Sequence, residues 1–165
     1  MGVVSDIGRT LGGGARAVMR EHLARGPQDA RAFAFLMIAN LLVFVAQWPR
    51  LARQAGTTGD PLDRLVAYEM LSWLLMWPLA FFGIAGLTHL ASRALGGRGP
   101  AWGARLAMFW AWLAATPLGL LTGLLAGFTG SSVATNLVAA AWLILFLWLW
   151  ARCQSEVAAG GAHAG

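Results

Sequence analysis

The stretch Leu106–Ala151, LAMFWAWLAATPLGLLTGLLAGFTGSSVATNLVAAAWLILFLWLWA, decides the fold. Its forty-six residues carry no charge, and roughly twenty apolar residues are enough to span the hydrocarbon core of a bilayer. One crossing cannot hold them. The break belongs at Gly130-Ser131-Ser132, where a serine can cap a new helix. The spacing predicts two transmembrane helices, Pro100–Thr129 and Ser132–Cys153.

Two more spans lie upstream. Ala32–Trp48 is seventeen residues without a charge, closed by Pro49 and Arg50, and with its flanks it is long enough to cross. Residues Arg50–Gly59 read as a short polar loop. Gly59-Asp60-Pro61-Leu62-Asp63 then reads as a helix start, with Asp60 as cap, Pro61 in the first turn and Asp63 near the positive helix end. This helix should reach Leu95, with a kink at Pro78, and Gly96-Gly97 should end it. The fold class is an all-α membrane protein: a bundle of four transmembrane helices, five if Pro117 splits the third, preceded by an N-terminal interfacial amphipathic helix. Residues 1–30 form that interfacial segment, 31–153 the transmembrane domain and 154–165 a disordered tail.

Composition agrees. Hydrophobic residues make up 58% and charged residues 12% of 165 positions, about half the usual charged share of roughly a quarter. The mean hydropathy is +0.63. All twelve basic residues are arginine, against seven acidic ones. Four crossings would put nine arginines on the side of the termini (Arg9, Arg16, Arg20, Arg25, Arg31, Arg93, Arg98, Arg105 and Arg152) and three on the other (Arg50, Arg53 and Arg64). That asymmetry predicts that both termini lie in the cytoplasm. It also assigns the positive charge to lipid headgroups, with no role for nucleic acid. Cys153 is the single cysteine, so no intrachain disulfide can form.

The first thirty residues lack the apolar region of a signal peptide. At 100° per residue, Val4, Ile7, Leu11, Val18 and His22 fall on one side and Arg9, Arg16 and Arg20 gather opposite. That is the pattern of a helix lying in the interface with its arginines on anionic headgroups. Gly12-Gly13-Gly14 weakens it, so the helix is expected from Ala15 to Arg25, with looser residues before it.

Candidate chemistry is sparse. In the third helix Gly103, Ala107, Ala111, Ala115, Gly119, Gly123 and Gly127 recur every four residues, a small-residue stripe for close helix packing, most simply within the chain. Thr116-Pro117 should bend this helix, with the Thr116 hydroxyl serving freed backbone groups. Glu69 is the one acidic residue drawn into an apolar stretch. It lies near the start of its helix, where pairing with Arg64 or Arg50 is the simplest role. Asn40 and Asn136 can bridge helices. His89 stands near the end of the second helix, and with His22 and His163 as the other histidines no bis-histidine haem site is read. No cofactor, metal or catalytic motif is read. Trp48, Trp102, Trp148 and Trp150 fit an aromatic belt. Trp73, Trp77, Trp110, Trp112 and Trp142 lie deeper, as bundle filling.

This arrangement resembles a bacterial member of the Yip1 family. The resemblance is carried by Ala15-Arg16-Ala17-Val18-Met19-Arg20 before the first span and by Phe44-Val45-Ala46-Gln47-Trp48-Pro49-Arg50-Leu51-Ala52-Arg53. It continues through Gly103-Ala104-Arg105-Leu106-Ala107-Met108-Phe109, leading to Ala115-Thr116-Pro117-Leu118. It implies a compact helical membrane domain without catalytic residues. The family is usually described with five spans, against four here. The expected function is non-enzymatic: binding or organising other membrane components, as an accessory or assembly subunit of a larger membrane complex with a membrane-protein partner. The alternative is a small transporter or channel using Glu69, Asn40 and Asn136.

Overall fold

Apolar segments in a bilayer must satisfy their backbone groups internally, and a helix does so within one segment. The computed structural model describes residues 2–130 and 132–160, and it is helical with no strand among them. The helices are α1 (Val3–Arg9), α2 (Ala15–Ala24), α3 (Asp29–Ala46), α4 (Trp48–Thr58), α5 (Leu62–Leu71), α6 (Trp77–Ala94), α7 (Ala101–Thr129) and α8 (Val133–Gly160). A π-helical turn at Thr10–Gly14 joins α1 to α2, and another at Ser72–Met76 joins α5 to α6.

Four helical units among the described residues are long and apolar enough to cross a membrane: Asp29–Thr58, Leu62–Ala94, Ala101–Thr129 and Val133–Ala159. The shortest has 27 residues, about 40 Å at 1.5 Å per residue, which exceeds the roughly 30 Å hydrocarbon core. The chain is a multi-pass membrane protein.

Helix α7 is the centre. Every residue from Leu106 to Thr116 is buried, as expected of a helix that is apolar all round. Helices α3, α6 and α8 pack around it, and α4 covers its far end. The two ends of the bundle are distinguishable. At one, which we call the terminal end, Gly103 of α7 lies against Leu23 and Val157, so the start of α7 meets α2 and the end of α8. At the opposite end Gly127 lies against Pro49 of α4.

Prolines explain the local breaks. Pro49 and Pro78 sit in the first turns of α4 and α6, where a missing N–H costs least. The π-turn before Trp77-Pro78 takes up the disturbance expected at Pro78. Pro117 leaves α7 continuous over its 29 residues. There the Thr116 hydroxyl donates to the Trp112 carbonyl at 3.0 Å.

Four expectations require correction. Residues read as a polar loop after Arg50 form α4, which ends only at Gly59 in the left-handed conformation (φ 76°). Asp60 makes no cap: it accepts from the Thr58 hydroxyl, and Pro61 precedes the first turn of α5. Helix α8 does not stop at Cys153 but runs to Gly160 with Val157 buried, because its last turns pack against α2. Residues 154–160 are therefore helical, and the rest of the expected disordered tail lies outside the described residues. Finally, the residues before Ala15 are helical, but Gly13 at φ 96° breaks the phase between α1 and α2. Val18 and His22 are buried, whereas Val4 and Leu11 remain exposed, so the single apolar stripe does not form. Ser132 does cap α8, accepting from the Thr135 N–H at 3.2 Å.

Candidate functional site

The richest polar cluster stands at the opposite end, where α4 leaves the direction of α3. Arg50 is its hub. Its Nε donates to Gln47 Oε1 at 2.8 Å, its Nη1 to Gln54 Oε1 at 3.4 Å, and its Nη2 pairs with Glu69 of α5. One helical turn along, Arg53 Nη1 donates to the carbonyls of Gly127 and Phe128 at 3.2 and 2.7 Å. A cation there satisfies orphan carbonyls at the negative end of α7. Beside these side chains lies a cavity of about 410 Å³, lined chiefly by Gln47, Arg50, Arg53, Gln54, Thr135 and Asn136. The sequence reading missed this cluster, because Gln47, Gln54 and Arg53 gain meaning only once residues 50–58 are helical.

Of the intramembrane polar candidates, Glu69 pairs with Arg50, and Arg64 lies over the Tyr68 ring instead. Asn40 is fully buried in α3, where its Oδ1 accepts from Trp112 Nε1 of α7 at 2.9 Å. Asn136 is exposed and lines the cavity. Neither Asn40 nor Glu69 lines it, so the three residues do not gather into one path. His89 is half-buried and makes no hydrogen bond among the described residues. No group of three metal-ligating side chains occurs among them.

The small-residue stripe is used inside the chain. Gly119 faces Trp142 of α8, Gly123 the backbone of Ala46 in α3, and Gly127 Pro49 of α4. Ala111 and Ala115 are fully buried. Among the deep tryptophans, Trp73, Trp110 and Trp112 are buried and Trp77 is 41% exposed. Trp112 stacks on Trp142 at 5.0 Å and meets Phe81 and Phe146 edge-on or tilted at 4.9 and 5.1 Å.

At the terminal end the three arginines assigned to headgroups have carboxylate partners in the chain. Arg9 pairs with Asp6 and Glu21, and Arg16 and Arg20 with Glu156 of α8 at 3.7 and 3.6 Å. The hydrogen bond holds Glu21 below its ordinary range and raises Arg9. Arg16 and Arg20 keep 52% and 68% of their side-chain surface open. Beneath them His22 is buried between Phe35 and Trp110, with ring centroids 5.8 and 4.6 Å away. Arg31 Nη2 lies 3.1 Å from His22 Nδ1. Arginine has no acceptor, so Nδ1 accepts and the proton sits on Nε2. Burial, then the charges of Arg31 and Arg25, pushes this imidazole down to about 4.

A second concavity opens on the flank. Helices α6 and α8 meet at Phe81 and Phe146, 6.3 Å between ring centroids, and leave an apolar cleft of about 520 Å³ toward the terminal end. Ala91 and Ser92 form one wall, and Ala151, Ser155 and Ala158 the other. Trp150 and Gln154 also line it, and Trp150 Nε1 and Gln154 Oε1 are buried without a partner.

No protein-family model, curated protein or solved structure matches the chain.

Proposed function

We propose that this chain is a non-enzymatic integral membrane subunit of the Yip1-like kind, which binds another membrane component by holding one of its apolar helices in the cleft between α6 and α8. The observation that carries this reading is the composition of the cleft walls. In lipid, helices associate through close packing of small residues and a few polar contacts, and both walls here carry small residues, Ala91 and Ser92 on one and Ala151, Ser155 and Ala158 on the other, beside the larger Thr88, Leu95 and Trp150. The stripe on α7 is consumed within the bundle, whereas the cleft between α6 and α8 stays open on the flank.

The same reading sets the protein in a bacterial inner membrane with both termini cytoplasmic. The exposed Arg93 and Arg98, together with Arg16 and Arg20, then lie on anionic headgroups. A photo-crosslinking side chain at Ala151, in native membranes, tests the proposal. The expected product is one protein adduct of fixed mass, lost when Ala91→Phe fills the opposite wall. Adducts to lipid alone, or only to a second copy of this chain, would overturn it.

A further inference from the structure

The cavity at the opposite end has an uneven hydrogen-bond inventory. Arg50 can only donate, so both glutamines turn their oxygens to it, at 2.8 and 3.4 Å. Their amide N–H groups are left without a partner among the described residues. The hydroxyls are spent as donors to carbonyls: Thr57 on Gln54, Thr122 on Leu118 and Thr135 on Gly130. Arg53 spends one nitrogen on α7 and retains its Nε and Nη2 donors. The Asn136 amide is unbonded. No carboxylate lines the cavity. Glu69 neutralises Arg50 from outside it, whereas Arg53 has no carboxylate partner among the described residues.

A concavity with one uncompensated guanidinium and three free amides selects an acceptor-rich anion. We propose that it binds a single oxyanionic group, a phosphate or carboxylate, presented either by a lipid headgroup or by a free anion. Arg53 supplies the charge, and Gln47, Gln54 and Asn136 supply neutral donors. The Arg50–Glu69 pair holds the glutamines in the donating orientation and takes no part in binding. The site is at the far end of the bundle from the α6–α8 cleft, so it can stand or fall independently of the proposed function.

Asn136→Asp is the discriminating variant. Asn136 is exposed and makes no hydrogen bond, so the substitution leaves folding intact while placing a negative charge in the cavity. The full chain is titrated, in phosphatidylcholine nanodiscs, with inorganic phosphate. In a second arm it is reconstituted at increasing phosphatidylglycerol content. Thermal unfolding is read by tryptophan fluorescence. The wild type should show a saturable rise in Tm, with the affinity at least about tenfold weaker in Asn136→Asp through repulsion at close range. Arginines elsewhere are common to both proteins and cancel in the comparison. A rise with inorganic phosphate alone assigns a free anion, one with phosphatidylglycerol alone assigns a lipid headgroup, and a rise in both shows a site that takes the oxyanionic group from either source. No saturable rise in either arm, or equal affinities for the two proteins, would overturn the site.

Discussion

Gly123→Ala is the sharpest test of how α3 and α7 fit together. A Cβ at Gly123 would stand 2.8 Å from the carbonyl carbon and the Cβ of Ala46, and closer still to the Ala46 oxygen. Ordinary contact begins near 3.4 Å, so the two backbones must part by at least about 0.6 Å. A gap of this size forfeits roughly a quarter or more of each dispersion well it touches, and overpacking typically costs about 1–3 kcal/mol. The Asn40–Trp112 hydrogen bond, 2.9 Å long and joining the same helices, would be stretched with it. The control is Gly86→Ala in α6, where nothing lies within 4 Å of the added methyl. That substitution should be neutral or stabilise by up to about 1 kcal/mol through helix propensity. Reversible unfolding in mixed micelles, followed by tryptophan fluorescence, reads both. If Gly123→Ala unfolds at the same denaturant fraction as Gly86→Ala, the close approach of α3 and α7 is wrong.

Two further outcomes follow from the polar contacts. His22 is depressed from 6.5 to about 4, so its contribution to stability is complete above pH 6.5. It is lost as pH falls toward 4, because the unfolded state takes up the proton first. The loss should total about 3 kcal/mol, measured as the pH dependence of the unfolding midpoint, and a flat profile between pH 6.5 and 4 would contradict the buried neutral imidazole. Glu69→Gln keeps an acceptor for Arg50 but removes its counter-charge. Stability should fall by about 1 kcal/mol, a modest cost for a pair that is partly exposed, with ion flux in proteoliposomes equal to wild type. A change in flux would return Glu69 to a transport role.

Much of this architecture is legible in the sequence because the bilayer constrains it. The uncharged run from Leu106 to Ala151 admits few divisions, and Gly130 and Ser132 mark the break by their own conformational and capping chemistry. The glycines of α7 and the position of Asn40 likewise announce contacts that the structure supplies with Ala46, Trp142 and Trp112. The extents of helices outside the apolar runs are not legible in this way. Residues 50–58 are polar and contain Gly56, yet they stay helical because Arg53 reaches the end of α7 and Leu51 is buried. Residues 154–160 are held by Val157 against Gly99 and Gly103 and by Glu156 beside Arg16 and Arg20. Both depend on partners more than 50 positions away in the chain, from Val157 and Gly103 at 54 upward, beyond the reach of local propensity. The cavity inherits that difficulty, since its donors come from α4, α8 and the junction of α3 with α4, and of them only Asn136 stood out as a polar candidate beforehand.

The few acidic residues follow one rule. Five of the seven, Asp6, Glu21, Asp29, Glu69 and Glu156, meet an arginine. Apart from Asp6, each joins helices adjacent in space: α1 to α2, α3 to α7, α4 to α5 and α2 to α8. Partly exposed pairs contribute at most about 1 kcal/mol each, so they cannot be what makes the bundle form. Hydrophobic association does not favour one helix–helix register over another within lipid. Register has to come from shape, through the glycines of α7, and from polar contacts that fit only one arrangement. The carboxylates therefore serve as specificity elements at the bundle's two ends, while the central packing is left to small residues and tryptophan. The positive charge they leave uncompensated is concentrated on exposed arginines such as Arg93 and Arg98 and on Arg53, and it is there, at the two ends, that a binding partner of opposite charge would be met.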